Sequence, residues 1–228
     1  MSVPIADRAA AAAARTVEAG SARIFSAWTM GAPVPQAGDR RCEGVADLAG
    51  RRARVSHVLF FTERLTVEFL ADHGHDQPGE PTEMIFDGGR AHVRTAGRWT
   101  SLPPDDPDGA RGPNDPLWPL DALFGARDDV AEVGPETVRG VATIRCRLTV
   151  DLARADAALP AGVSVPAGPY RALRRMPAEV WLDADGRARR VAVSTEPAAA
   201  AGEQTWAITE LWDFGIAVDI TLPGPDGA

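Results

Sequence analysis

The chain has 228 residues and a formal net charge of −8, with 45% hydrophobic and 25% charged residues. A domain of this size buries roughly three-quarters of its unfolded-chain surface, so it can form a sizeable core without metals or disulfides. The acidic balance provides no field for a phosphate backbone and argues against nucleic acid as a partner. We therefore expect one soluble α+β domain over residues 1–228, without cofactors.

An N-terminal helix is predicted within residues 1–20. The stretch 5–19 is rich in alanine, the best helix former, and Gly20 is a natural stop. The alanine run lacks large apolar residues and is too short to span a bilayer, so we expect neither a signal peptide nor a transmembrane segment. The sequence as given is thus expected to be cytoplasmic; a trimmed or mis-started N-terminus would leave an envelope location open.

Short strands follow one another through the first half of the chain. A first strand is predicted over 21–30, and others over 42–50, 51–63 and 64–73. The last of these alternates apolar with polar residues, as a half-buried strand does. Three more short strands are predicted within 83–102, because Asp87–Gly89 and Ala96–Gly97 are turn signals.

The middle of the chain contains a predicted loop and a predicted short helix. Residues 103–114 are acidic and rich in proline and glycine, which indicates a surface loop. Residues 115–126 then predict a helix with Asp115 as its cap and Gly125 as its stop.

The clearest strand is predicted over 141–152. Apolar residues at Ile144, Cys146, Leu148, Val150 and Leu152 alternate with polar ones, which indicates a sheet with one dry and one wet face.

A hairpin is predicted around Asp185–Gly186, and two last strands are predicted over 205–223, bent at Asp213–Gly215. In total the sequence predicts roughly ten strands and two or three helices. Consecutive strands with short turns favour a single large antiparallel sheet, curved into a half-barrel around the helices.

Chemistry-bearing residues are few and scattered. The segment Asp72–Asp76 contains two histidines and two aspartates, but a metal site needs three or four convergent ligands. His57 and His92 lie on predicted strands and would act as bases only beside a nucleophile and a carboxylate. Since no such motif is visible, we expect no metal and no catalytic residues.

Arginines and cysteines each allow two interpretations. Arginines cluster at 51, 52 and 54 and again at 187, 189 and 190. Each cluster is either a solvated face or a site for a small acidic ligand, since guanidinium groups suit carboxylate and phosphate. Cys42 and Cys146 fit no zinc spacing; buried, reduced thiols are the default and a disulfide is the alternative.

Aromatic residues are the most informative group. A curved sheet facing helices does not close fully, and the gap becomes a pocket lined by apolar and aromatic side chains. The candidates for the wall of such a cavity are Trp28, Phe60, Phe69, Trp99, Trp118, Trp181, Trp206 and Trp212. Packing in the core and at its rim is the alternative role for most of them.

Several motifs occur in an order that resembles a known family. They are Glu43–Leu48 before an arginine-rich strand, Phe86–Gly88 leading to Gly97–Trp99, Asp115–Leu117 opening a helix, Glu132–Gly134 and Glu136–Gly140 before a strand, Val180–Asp183 with Asp185–Arg187, and Asp213–Gly215. From about Ser21 to Pro223 the chain resembles the actinobacterial LppX/LprG-type lipoproteins, relatives of the LolA/LolB lipoprotein carriers. Members usually have a signal peptide and an acylated cysteine near the start, and neither is visible here.

The resemblance implies a half-barrel sheet around helices, a cavity for acyl chains and no fixed catalytic residues. Our leading hypothesis is a non-enzymatic carrier of a hydrophobic or lipid-like ligand. The alternatives are a protein-interaction or regulatory domain of the same fold with a filled core, and a hydrolase in which His57 or His92 meets a carboxylate and a nucleophile.

Overall fold

Three α-helices lie in the described part of the chain. The structure is a computed structural model that describes residues 5–36, 40–58, 82–88, 90–95, 97–102, 115–127, 129–160, 174–195 and 204–224. Helix α1 spans Ile5–Glu18, α2 spans Trp118–Ala122, and α3 spans Leu152–Ala158. A 3₁₀ turn, Leu123–Gly125, continues α2 and ends at the predicted glycine stop.

Eleven strands of the described residues form one sheet, and every adjacent pair is antiparallel. The strands are β1 Ser21–Met30, β2 Arg40–Asp47, β3 Arg52–Val58, β4 Thr82–Asp87, β5 Arg90–Thr95, β6 Arg98–Leu102, β7 Ala131–Val138, β8 Val141–Asp151, β9 Arg175–Leu182, β10 Ala188–Ser194 and β11 Thr205–Trp212. The predicted α+β class, with one large antiparallel sheet and helices against it, is confirmed.

The first and last strands meet at the centre of the sheet. The order is β6-β5-β4-β3-β2-β1-β11-β10-β9-β8-β7, so β1 pairs with both β2 and β11. Gly44 on β2 allows a close approach to β3, because an added Cβ would overlap the Arg54 carbonyl oxygen. Such a glycine permits a tight bend between neighbouring strands, as a curled sheet requires.

Each face of the sheet carries its own hydrophobic cluster. We call the face covered by the helices the inner face and the opposite one the outer face. The inner cluster includes Cys146, Leu148 and Val150, as the alternation predicted. The smaller outer cluster consists of Val138, Trp181, Ala192, Trp206 and Ile208.

Buried hydrogen bonds fasten the helices to the inner face. The Thr209 hydroxyl on β11 donates to the Pro116 carbonyl oxygen, just before α2, at 2.6 Å. The Thr16 hydroxyl on α1 accepts from the Ala188 backbone N–H on β10 at 2.9 Å. Since unpaired buried polar groups are costly, these bonds restrict where α1 and the start of α2 can lie.

Three elements differ from the sequence predictions. Strand β7 was not predicted, and residue 152 begins α3 instead of continuing β8. The second of the two last strands is wrong: residues 216–224 form no strand. A strand needs a partner, and β1 and β11 already have neighbours on both sides. The predicted strand at 64–73 and the predicted loop at 103–114 lie outside the described residues.

Candidate ligand-binding surfaces

The inner face of strands β1–β5 is the most apolar candidate surface; we call it the β1–β5 surface. Its register places Ala46 opposite Ala53, Ala53 opposite Phe86, and Phe86 opposite Ala91. All four are buried, as is Val55 beside them. The described helices make their main contacts with β7–β11. Small side chains thus predominate on the half of the inner face that those helices cover least.

Two of the eight predicted cavity residues belong to the inner side. Trp28, on β1, is half-buried and packs against the inner cluster. Trp118, in α2, is 2% exposed and is a member of that cluster. A role for these two in a cavity between sheet and helices stays a prediction.

Four other candidates lie on the outer face, which corrects the prediction for them. Trp181 falls between Val180 and Leu182, which both point into the inner cluster, so its own ring points outward. Trp206 belongs to the same outer cluster. Trp212 also points outward, because its neighbour Leu211 on β11 belongs to the inner cluster and side chains alternate along a strand. Trp99 on β6 points outward for the same reason: its neighbour Thr100 lies opposite Val93, which packs against the inner cluster. Phe60 and Phe69 lie outside the described residues.

Arginines cover the outer cluster and explain how Trp181 reaches 0% exposure. The guanidinium carbons of Arg145 and Arg190 lie 5.1 and 4.9 Å from the Trp181 ring. Arg145 donates to Glu179 at 2.5 Å, and Arg190 donates to Glu210 at 2.8 Å. The outer face, which the alternation predicted to be wet, is therefore covered at its centre by ion pairs that stack on Trp181.

The turn between β7 and β8 completes this cover. Arg139, in that turn, donates to Glu210 on β11 at 2.8 Å. Its guanidinium carbon lies 3.6 Å from the Trp212 ring centre and 5.4 Å from that of Phe25 on β1. Since β7 and β11 are four strands apart, the β7–β8 hairpin reaches across the outer face.

A groove opens on the other side of the same region, between α1 and the end of strands β7–β9. Its volume is about 520 Å³, and its walls include Arg8 and Arg15 from α1 and Thr143, Ile144 and Leu182 from the sheet. Sequence analysis did not select these arginines, because they are isolated in an alanine-rich helix.

The arginine clusters, for which a ligand site was one of two interpretations, are paired with carboxylates of the chain. Arg52 donates to Asp87 at 2.8 Å, and Arg54 donates to Glu83 at 2.6 Å. Arg51 forms a buried ion pair with Asp121 of α2. The guanidinium groups of this cluster are therefore paired with carboxylates of the same chain.

The second cluster is also engaged, since it surrounds Asp183. Arg187 and Arg189 approach its carboxylate at 3.2 and 2.8 Å. Burial alone would raise the pKa of Asp183, but hydrogen bonds from the Arg187 backbone and the Arg189 side chain, with both positive charges, hold it below its ordinary value. The carboxylate at this turn is thus ionised and fully paired.

Both cysteines are free and buried, which agrees with the default prediction. Burial, assisted by the negative charge of Glu132, raises the pKa of the Cys146 thiol to about 11, against a smaller opposing effect of Arg8. A thiol in this state is a poor nucleophile, because the thiolate is the reactive form.

One histidine has a potential nucleophile beside it. The His92 Nδ1 and the Ser101 hydroxyl lie 2.9 Å apart on the outer face of β5 and β6. Among the described residues no carboxylate orients the imidazole, and the pair does not line the groove. The His57 side chain and the Asp72–Asp76 segment lie outside what the structure describes.

Metal and membrane features can be judged for the same residues. Within the described ranges no three His, Cys, Asp or Glu side chains converge as metal ligands. No helix in these ranges combines the length and hydropathy required to cross a bilayer.

The fold is similar to that of two solved mycobacterial proteins. The lipoprotein LppX from Mycobacterium tuberculosis aligns over 94% of this chain and 99% of its own, at 13% identity and a TM-score of 0.51. LprF from Mycobacterium bovis aligns over 96% and 97%, also at 13% identity and a TM-score of 0.51. The resemblance inferred from the sequence is thus confirmed at the level of the fold. No protein-family model matches the chain, and no curated protein matches it.

Proposed function

We propose that this protein is a non-enzymatic binding or carrier protein that holds a hydrophobic or lipid-like ligand against the β1–β5 surface. The observation that carries the proposal is the uneven distribution of side-chain size over the inner face. Small apolar side chains such as Ala46, Ala53 and Ala91 predominate where the described helices make few contacts. The fold shared with LppX, a lipoprotein, gives further support.

The driving force would be burial of acyl carbon. Each methylene transferred from water contributes about 0.8 kcal/mol, so ten buried methylenes contribute about 8 kcal/mol before the costs of association. A dissociation constant of about 1 µM is therefore the tightest affinity expected for a single acyl chain. Trp28, which packs against the inner cluster, would contact such a chain.

Two matched alanines make the proposal testable. Ala91 lies on the β1–β5 surface and Ala192 lies in the outer cluster, and both are 0% exposed. Affinity for a fluorescent undecanoic acid probe would be measured for wild type, Ala91→Phe and Ala192→Phe. We expect Ala91→Phe to weaken binding at least tenfold, because its ring would occupy the space proposed for the ligand.

Ala192→Phe is the control for overpacking. It is expected to destabilise the fold by about 1–3 kcal/mol while leaving probe affinity unchanged. The proposal fails if wild type neither binds the probe nor carries co-purified lipid in native mass spectrometry. It fails equally if Ala91→Phe binds as wild type does.

The alternative function, docking of a protein partner, receives no support at the sheet edge β7. This edge carries Glu132, Pro135 and Glu136, and its register shifts between Glu132 and Gly134. Charges, proline and bulges are the features that hinder addition of a further strand. A pull-down that yields a stoichiometric partner would be the result favouring this alternative.

A further inference from the structure

The groove beside α1 brings two guanidinium groups to one place. Arg8 and Arg15 are seven residues apart, which is about two helical turns, and so they share one side of α1. Arg8 donates to the Asp183 carbonyl oxygen at 3.1 Å, and Arg15 donates to the Asp185 carbonyl oxygen at 3.2 Å. Carbonyl groups two residues apart are separated by at most roughly 7 Å, so both side chains converge on the same turn.

The charges of these two arginines are not neutralised by that turn. Both contacts are made to backbone carbonyl oxygens, and each guanidinium has five N–H donors. Asp183 also lines the groove, but its carboxylate is paired with Arg187 and Arg189 instead. The groove therefore has an excess of positive charge and of unused donors in the described structure.

From this arrangement we infer that the groove binds a phosphate group, with Arg8 and Arg15 as its donors. A phosphate monoester carries close to two negative charges at neutral pH, which match two guanidinium groups, and arginine can bind it through paired hydrogen bonds. The volume of about 520 Å³ suits a small molecule, and Ile144 and Leu182 provide an apolar wall beside the charges.

The source of the phosphate is either a free phosphate ester or the headgroup of a lipid. The groove lies at the β7–β9 end of the sheet, whereas the proposed acyl site is the β1–β5 surface. The phosphate site thus goes beyond the proposed function and stands even if no acyl chain binds there.

The test is a titration of the whole protein with inorganic phosphate and, separately, with dihexanoylphosphatidic acid, by calorimetry at constant ionic strength. We expect saturable binding of at least one probe. Arg8→Gln and Arg15→Gln should each weaken it about tenfold, since a hydrogen bond to a charged group is lost in each. Arg154→Gln, which removes an exposed arginine from α3, is the matched control and should bind as wild type does.

The two probes separate the sources. Equal affinity for both supports a free phosphate ester, and binding of the lipid alone supports a headgroup. Absence of saturable binding by either, or wild-type affinity in the Arg8→Gln/Arg15→Gln double variant, overturns the inference. Ala142→Trp provides a second variant: it leaves both arginines in place but fills the groove from its wall. Retained binding by folded Ala142→Trp would also refute the site.

Discussion

Replacing Trp181 tests whether the outer aromatic cluster is structural. The side chain is fully buried, lies under Arg145 and Arg190, and donates through its indole N–H to Glu136. Removal of a buried tryptophan costs about 3–5 kcal/mol, and each cation–π contact adds about 0.5–1 kcal/mol. Trp181→Ala should therefore lose about 4–7 kcal/mol, a large part of the 5–15 kcal/mol typical of a domain.

Urea unfolding followed by far-UV circular dichroism measures this loss without relying on tryptophan emission. Trp181→Phe keeps a ring under the two guanidinium groups and should lose about 1–2 kcal/mol, for the smaller volume and the missing N–H donor. Trp99→Ala, a half-buried position on edge strand β6, should cost less than Trp181→Ala. A loss below about 2 kcal/mol for Trp181→Ala would refute the structural role. So would reduced acyl-probe affinity in Trp181→Phe with unchanged stability.

Three further sites test two buried carboxylates and one buried thiol. In a Cys42→Ala background, Cys146 should react with a disulfide reagent at pH 8 roughly a hundredfold more slowly when folded than when unfolded, because its pKa is about 11 instead of 9. For the same reason, the stability contributed by this thiol is present below pH 9 and is lost as pH rises towards 11. The difference in unfolding free energy between pH 8 and pH 10.5, measured by chemical denaturation, should therefore be smaller in Cys146→Ala than in wild type. Because the pKa of Asp183 is lowered in the folded protein, its carboxylate contributes stability at pH values above its ordinary pKa, and this stability is lost as pH falls through the folded pKa. Asp183→Asn should therefore cost about 3 kcal/mol at pH 7 and flatten the dependence of unfolding on acid pH. An unchanged acid-unfolding profile would contradict this. Asp121→Ala leaves the Arg51 charge buried alone and should cost about 3–5 kcal/mol by chemical denaturation, most of which Arg51→Met/Asp121→Leu should recover; a cost below about 1 kcal/mol would show that the pair is not buried.

Local sequence patterns were sufficient for most strands and for the long helix. The strict alternation from Ile144 to Val150 fixed both the existence of β8 and its dry side, because side chains alternate faces in any strand. The turn at Asp185–Gly186 fixed the β9–β10 hairpin for an equally local reason. The order of the family-like motifs added the class of fold.

The errors arose where pairing or capping decides the structure. Strand β7 contains Gly134 and Pro135, which argue against a strand, but at a sheet edge they are tolerated. Residues 216–224 alternate between half-buried and exposed positions as a strand would, yet β1 and β11 are already paired on both sides. Asp151 was a usable signal for α3, since aspartate is a preferred N-cap, and its carboxylate accepts from the Ala153 and Arg154 N–H groups.

The sequence by itself determined that one antiparallel sheet forms and which residues of β8 face its core. Only the tertiary structure decided what the polar face does, because its partners come from distant strands: Trp181 of β9 is covered by Arg145 of β8 and Arg190 of β10. In the same way, the clustering of Arg51, Arg52 and Arg54 along the chain suggested a ligand site, but carboxylates from other elements neutralise these arginines. The unpaired charges of Arg8 and Arg15 became visible only once α1 lay against the β9–β10 turn. Periodicity reports the direction of a side chain, whereas its partner depends on contacts between residues far apart in sequence.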